Sequence, residues 1–279
     1  MNDIRKDKQS LKYKLIASDI DGTLVNDKLE ITERTKEAIK NAIDAGAIFV
    51  TATGRAFQNT KIVGDLLSKD MPFIVFNGAA AFMGKSEKLL FERFLDYDLA
   101  KEAFIYGQKI EIPQIVWAGP RLLASGEYKE TLRYQTLSRG LEMTVINDLA
   151  EIIDEVKGIS KVLWIDDPVR IKKLAPKMRE HFKGRLKCVS SMAHYLEFVS
   201  NDAGKGTALA DIGKLFGIDK SEMIAIGDGN NDIGMITYAG LGVAVENAPD
   251  DVRAAADYIT LSNNENGVAH VIEKFILST

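Results

Sequence analysis

Two carboxylates stand two residues apart in Asp19-Ile20-Asp21-Gly22-Thr23-Leu24, directly after the apolar run of residues 13–18. In extended backbone, residues i and i+2 share a face, so both acids point to one side. The glycine permits a tight turn that brings backbone N–H groups toward an anion. Two close carboxylates repel, so the pair calls for a metal cation or a shared proton. One acid can then attack an electrophile while the other handles protons. Taken alone, the segment equally suits an ordinary turn. It does not cleanly meet the calcium pattern of spaced acids ending in a glutamate.

A second acidic segment, Gly227-Asp228-Gly229-Asn230-Asn231-Asp232, follows the apolar residues 223–226. Two such loops at one sheet edge predict a hard-cation site with oxygen ligands, Mg²⁺ first. A solvated turn before a capped helix is the plainer reading of the same residues. Thr53, in Thr51-Ala52-Thr53-Gly54-Arg55, offers a hydroxyl and free N–H groups at a helix start, suited to a phosphoryl oxygen or to a simple N-cap. Asn77 in Asn77-Gly78 can add an amide to the same anion or form a tight turn. Lys205, between Gly204 and Gly206, can reach a crowded anionic site or lie in a solvated loop.

The elements that would carry these loops alternate. Residues 13–18, 47–53 and 73–76 read as strands, separated by helices over 32–45 and 56–67. The rhythm returns near the end. Helices are expected at 206–216, 232–239, 249–256 and 268–276, and strands at 223–226, 241–245 and 258–260. This pattern predicts an α/β fold with a doubly wound parallel sheet assembled from both ends of the chain. Ligands of such sheets bind beyond the carboxyl ends of the strands, which is where the four loops fall. The middle differs. Amphipathic stretches at 98–108 and 169–182, with β-like segments at 115–117 and 161–165, predict an inserted α+β domain over 85–190, leaving 1–84 and 191–279 as a discontinuous core.

Composition narrows the partners. The chain has 279 residues, 46% hydrophobic and 27% charged, with net charge −4. That balance gives no global reason to bind nucleic acid. Its single cysteine, Cys188, allows no intrachain disulfide and no cysteine-based metal cluster. It reads as a small core or linker residue. Trp117 and Trp164 read as core of the inserted domain, and His194 as a packed or exposed histidine near the return linker. Residues 1–14 lack the apolar stretch of a signal peptide, and no run reaches the length of a membrane span. A cytoplasmic protein without membrane partners is expected.

Taken together, these residues resemble the haloacid dehalogenase superfamily of phosphatases. Asp19-Ile20-Asp21-Gly22-Thr23 is similar to its first motif, Thr53-Gly54-Arg55 to the second, Lys205 to the third and Gly227 through Asp232 to the fourth. The order and spacing agree over nearly the whole chain. The insertion resembles the large α+β (type IIB) cap of the Cof-type subgroup, as do Asn77-Gly78-Ala79 and the tail around Asn247-Ala248-Pro249 and Asn266-Gly267-Val268. Val245-Glu246 and Gly234 depart from that subgroup's usual residues, outside the catalytic set.

The resemblance implies that Asp19 forms a phosphoaspartate and Asp21 acts as general acid and base. It implies that Lys205 bridges nucleophile and phosphoryl group. It implies that Mg²⁺ is held by Asp19, the Asp21 carbonyl and Asp228, with Asn231 or Asp232 at or behind it. Thr53, Gly54, Arg55, Asn77 and backbone N–H groups at Ile20 and Asp21 are implied to contact phosphate or substrate. The implied partner is a small phosphorylated metabolite, sugar phosphates first, and the cap is implied to set specificity. A phosphomutase of the same fold, and a ligand-binding regulator without turnover, are the alternative functions.

Overall fold

The computed structural model describes residues 11–60, 63, 69–138 and 141–278. The larger of its two sheets runs in the order Tyr258–Thr260, Leu241–Val245, Met223–Gly227, Leu15–Ser18, Ile48–Ala52, Pro72–Val75, Ala80–Met83, Leu89–Glu92. The first six strands are parallel. The last two form an antiparallel hairpin on the edge.

Strand order explains the position of the site. From Leu15–Ser18 the chain moves to one side through Ile48–Ala52, and much later to the other through Met223–Gly227. Ser18 pairs with both Thr51 and Ile226. Loops leaving adjacent strands diverge there and open a crevice. The strand alternates its burial with period two. Leu15 and Ala17 pack with Leu209 and Ile212 of helix Lys205–Phe216, and Ile16 packs on the other face in the cluster of Ile39 and Ile43 from helix Glu33–Ala45. That second helix starts at the cap Thr32 and stops at Gly46, whose φ of +108° is cheap only for glycine.

The smaller sheet runs Leu186–Val189, Tyr195–Ser200, Lys161–Ile165, Gln114–Ala118, Arg121–Ala124, Met143–Val145. It is antiparallel except for its last pair. Helices Tyr97–Lys109 and Pro168–His181 pack on one face. Trp164 lies on that face, its ring 5.9 Å from Tyr106 and its indole N–H donating to Gln114 Oε1 at 3.0 Å. Trp117 points the other way, its ring 5.6 Å from core Phe76. Both indoles are fully buried, in keeping with a structural role.

The domain limits expected from sequence shift at both ends. Leu89–Glu92 pairs in the large sheet, and Tyr195–Ser200 lies inside the small one. The chain therefore crosses near residues 93–96 and 201–204, not at 84/85 and 190/191. Leu89–Glu92 is only four residues long and ends on a glutamate, and Tyr195–Ser200 carries Glu197 inside its apolar run, which obscured both strands. Of the helix expected over 56–67, Phe57–Thr60 form a 3₁₀ turn, and most of the remainder lies outside the described residues. Residues 1–10 lie outside them as well.

Candidate active site

Asp19 is the first residue past the central strand, and its N–H still donates to Ile226 O at 3.0 Å. That bond fixes it against the neighbouring strand. Beyond it the chain turns through Gly22, at φ +76°. A Cβ there would lie 2.5 Å from Asp228 Oδ2, so only glycine lets the two acidic loops meet. Thr23 completes the contact by donating its hydroxyl to Asp228 Oδ1 at 2.7 Å. Asn247, from the tail motif, braces the turn by donating to Gly22 O at 2.8 Å.

Lys205 opens its helix with its side chain fully buried. Its ammonium lies 2.6 Å from Asp19 Oδ1 and 2.5 Å from Asp232 Oδ1. The other Asp232 oxygen accepts from the backbone N–H groups of Asp228 and Gly229 at 3.1 and 2.9 Å. Asp232 thus holds the loop from behind, with both oxygens engaged. The hydroxyl of Thr53, buried at the end of its strand, accepts from Arg55 N at 3.1 Å. Backbone bonds from Asn77 N to Thr53 O and from Phe76 N to Arg55 O, each 3.0 Å, staple the second and third strand-end loops together.

One expected residue has a different partner here. Arg55 does not stand free for an anion; its guanidinium grips Asp21 with two bonds of 2.8 and 2.5 Å. The planar fork suits a carboxylate in this bidentate way. Asn77 also is engaged: its amide donates to Glu197 Oε2 at 3.1 Å and accepts from Asn231 Nδ2 at 3.0 Å. Ile20 has its side chain wholly buried, which leaves only its backbone available to a ligand.

These groups surround a cavity of about 850 Å³ between the two sheets. Asp19, Asp21, Asp228, Asn231, Thr53, Gly54 and Arg55 line it from the core. Arg133, Tyr134, Leu137, Met192, His194 and Tyr195 line it from the smaller domain. His194 packs against Tyr195 with ring centroids 4.1 Å apart, and burial followed by the Arg133 charge pulls its pKa down. Burial pushes the Cys188 thiol up to about 12, as expected of an inert core residue. A second cavity of about 600 Å³ shares Asn231 and is walled also by Asn77, Lys187 and Lys205.

Negative charge is in excess at this point. Asp19, Asp228 and Asp232 each offer an oxygen within 4.8 Å of the others, against the single ammonium of Lys205. Burial pulls Lys205 down, but Asp19 and Asp232 outweigh it and hold it above the ordinary lysine range. Asp19 is pushed well up by burial, despite Lys205, with repulsion from Asp232 and Asp228 adding to the rise. Asp228 is pushed up to about 6, by burial first, opposed by the Thr23 bond, with Asp232 adding repulsion. A divalent cation among oxygen donors relieves this imbalance. The donor set fits one.

Lys161 and Glu197 were not anticipated as site residues, yet both reach it. Lys161 donates to Gly54 O at 3.1 Å and to Glu197 at 2.8 Å. A signal was present in sequence: Glu197 lies inside YLEFVS and Lys161 opens the apolar strand KVLWI, and a charge in an apolar strand is rarely buried without a partner.

Comparison with known proteins agrees with this geometry. Residues 16–272 match the family model of the haloacid dehalogenase-like hydrolases. The 5-amino-6-(5-phospho-D-ribitylamino)uracil phosphatase YwtE of Bacillus subtilis is 30% identical over 285 residues, covering 94% of this chain and 98% of that protein. The crystal structure of TM0651 from Thermotoga maritima superposes with a TM-score of 0.79 at 31% identity, over 94% of this chain and 97% of that one. A haloacid dehalogenase-like hydrolase from Bacteroides thetaiotaomicron reaches 0.81 at 28% identity, over 94% and 99%. The chain belongs to the haloacid dehalogenase-like hydrolases, as a phosphatase of the Cof-type subgroup.

Proposed function

We propose that this phosphatase hydrolyses small phosphorylated metabolites, sugar phosphates foremost, through a phosphoaspartate on Asp19. The observation that carries the reading is Asp19 itself. It stands at the floor of a cavity shared by both domains, gripped by a buried ammonium and faced by Asp21. Phosphoryl transfer asks mainly for positioning and for neutralised charge.

In this reading an Asp19 oxygen attacks phosphorus and the bond to the ester oxygen breaks. Asp21 gives its proton to the departing alkoxide. Asp21 then takes a proton from a water that attacks the acyl phosphate. Inorganic phosphate leaves and the Asp19 carboxylate returns. Lys205 offsets the charge that gathers on the nucleophile. Thr53 and the N–H groups near Ile20 and Asp21 hold phosphoryl oxygens. Arg55 fixes the orientation of Asp21.

Mg²⁺ would be held by the carboxylates of Asp19 and Asp228 and the Asp21 carbonyl, with Asn231 and Asp232 behind, and when bound it would neutralise phosphoryl oxygens. The oxygen-only donors support this choice. Residues of the inserted domain would contact the leaving group and set specificity. The name of YwtE supports including phosphorylated ribitylamino compounds among the candidates. A single cysteine, and no described helix long and apolar enough to cross a membrane, support a cytoplasmic setting.

The test is phosphate release across sugar phosphates, nucleotides and phosphorylated cofactors, with Mg²⁺, with chelator, and with Asp19→Asn beside wild type. Release should require Mg²⁺ and fall at least about 10³-fold in the variant. Full release in excess chelator would overturn the metal assignment, and turnover persisting in pure variant protein would overturn the nucleophile.

A further inference from the structure

The geometry points to the Lys161–Glu197 pair as a latch that holds the loops of the phosphoryl site in register with the seated cap. It rests on the phosphatase reading above. The two residues are positioning residues; neither is placed against the reacting atoms.

Both side chains come from the core-facing side of the small sheet. Lys161 pairs with Trp117, whose ring meets Phe76 of the core, and Glu197 pairs with Leu163. Their charged side chains are 3% and 0% exposed. Such a pair costs desolvation on both partners and is often no more stabilising than apolar residues of the same size. Its contacts indicate another use. Each partner reaches out of its own domain. Lys161 donates to Gly54 O at 3.1 Å, in the loop of Thr53 and Arg55. Glu197 Oε2 accepts from Asn77 at 3.1 Å, in the next loop. Asn77 in turn accepts from Asn231, in the acidic loop beside Asp228. One carboxylate thus sets the amide orientation of Asn77, because a flipped amide would set its oxygen against Glu197. That fixed amide then receives Asn231.

The fit is close where the domains meet. A Cβ on Gly54 would lie 2.9 Å from Ser191 Cβ and 3.0 Å from Asn77 Oδ1. Ser191 also donates to the second Glu197 oxygen. Three loops that converge on the cavity therefore share one buried charge pair supplied by the inserted domain. Gly54 O and the Asn77 amide thus each take a buried charged partner from the inserted domain.

A latch and a specificity residue behave differently. A residue that only greets the leaving group changes KM for large esters and leaves inorganic phosphate binding alone. A latch changes phosphate binding and turnover even for the smallest ester. The experiment compares wild type with Glu197→Asp, which keeps the charge but shortens its reach, and with the double variant Lys161→Met/Glu197→Leu. Melting temperature, kcat on p-nitrophenyl phosphate and methyl phosphate, and inorganic phosphate affinity by calorimetry are read with Mg²⁺ present. We expect kcat to fall roughly tenfold or more in both variants and phosphate to bind several-fold more weakly. The double variant should keep a melting temperature near that of wild type, which separates positioning from folding. Wild-type phosphate affinity and wild-type kcat in either folded variant overturn the latch. Hydrolysis absent from wild type itself would overturn the phosphatase reading instead, and the calorimetry would still decide the latch.

Discussion

The floor and the wall of the cavity are built on opposite terms. On the floor, Asp19, Thr53, Lys205 and Asp232 are between 0 and 6% exposed, and each is held by a backbone hydrogen bond or a buried ion pair. On the wall, Leu137 and Met192 are 59% and 41% exposed. Arg133 carries no ion pair among the described residues. Every floor group is fixed from at least one direction by a strand end. The wall groups come from helix Lys129–Leu137 and, far along the chain, from the turn and strand around residues 191–195. A floor of this kind is costly to alter, because one change leaves a buried charge without its partner. A half-exposed wall can change with little effect on folding. In the proposed reading, this difference would separate the chemistry from the choice of substrate.

The sharpest way to break that comparison is Gly22→Ala. Alanine adds one methyl group to the floor and removes no functional atom. At φ +76° it is strained by about 1 kcal/mol, and its Cβ would press on the Asp228 carboxylate. We expect kcat/KM to drop on the order of 100-fold for every substrate, with only a modest fall in melting temperature. Steady-state kinetics on several esters checks this. A loss confined to one substrate would show that the floor is not shared.

The floor was legible in sequence for a physical reason. Asp19, Asp21, Thr53 and Asp228 lie within a few residues of apolar strand runs, and parallel topology brings such ends to one edge. The parallel strands and the helix beginning at Lys205 were readable from periodicity. The wall was not. Helix Lys129–Leu137 buries little beyond Thr131 and Tyr134, so its polar sequence shows no apolar stripe. Strand Leu89–Glu92 reads as the start of the insertion because it is four residues long and follows a polar stretch. The Arg55–Asp21 contact joins residues 34 apart, and the Lys161–Gly54 contact residues 107 apart. Such pairs follow from packing, which spacing within one segment does not encode.

Arg55 tests the border between the two regions. It grips Asp21 from the floor, yet its side chain is 27% exposed and lines the cavity. If its task is to orient the proposed acid, Arg55→Ala should lower kcat roughly tenfold to 100-fold, and inorganic phosphate should bind nearly as before. Arg55→Lys should recover little, since a single ammonium cannot reproduce two parallel bonds to one carboxylate. A variant that raises KM and weakens phosphate binding while keeping kcat would instead make Arg55 a direct anion ligand.

The smallest effect should come from Arg133, and it is informative because it is selective. The residue sits on the wall, near Tyr134 and His194, with its charge free of any ion pair among the described residues. Burial first, and then the Arg133 charge, depress the pKa of His194 beside it in the cavity lining. A leaving group with a second anionic group would meet that charge; a neutral sugar would not. In an exposed setting salt screens the attraction, so the gain is modest. Arg133→Ala should therefore raise KM about threefold for esters with an additional phosphate or carboxylate, and leave neutral sugar phosphates unchanged. Raising ionic strength should erode the wild-type preference toward the variant's value. An equal change for both substrate classes, or a change in inorganic phosphate binding, would place Arg133 on the floor's side of the division and dissolve the contrast between the two surfaces.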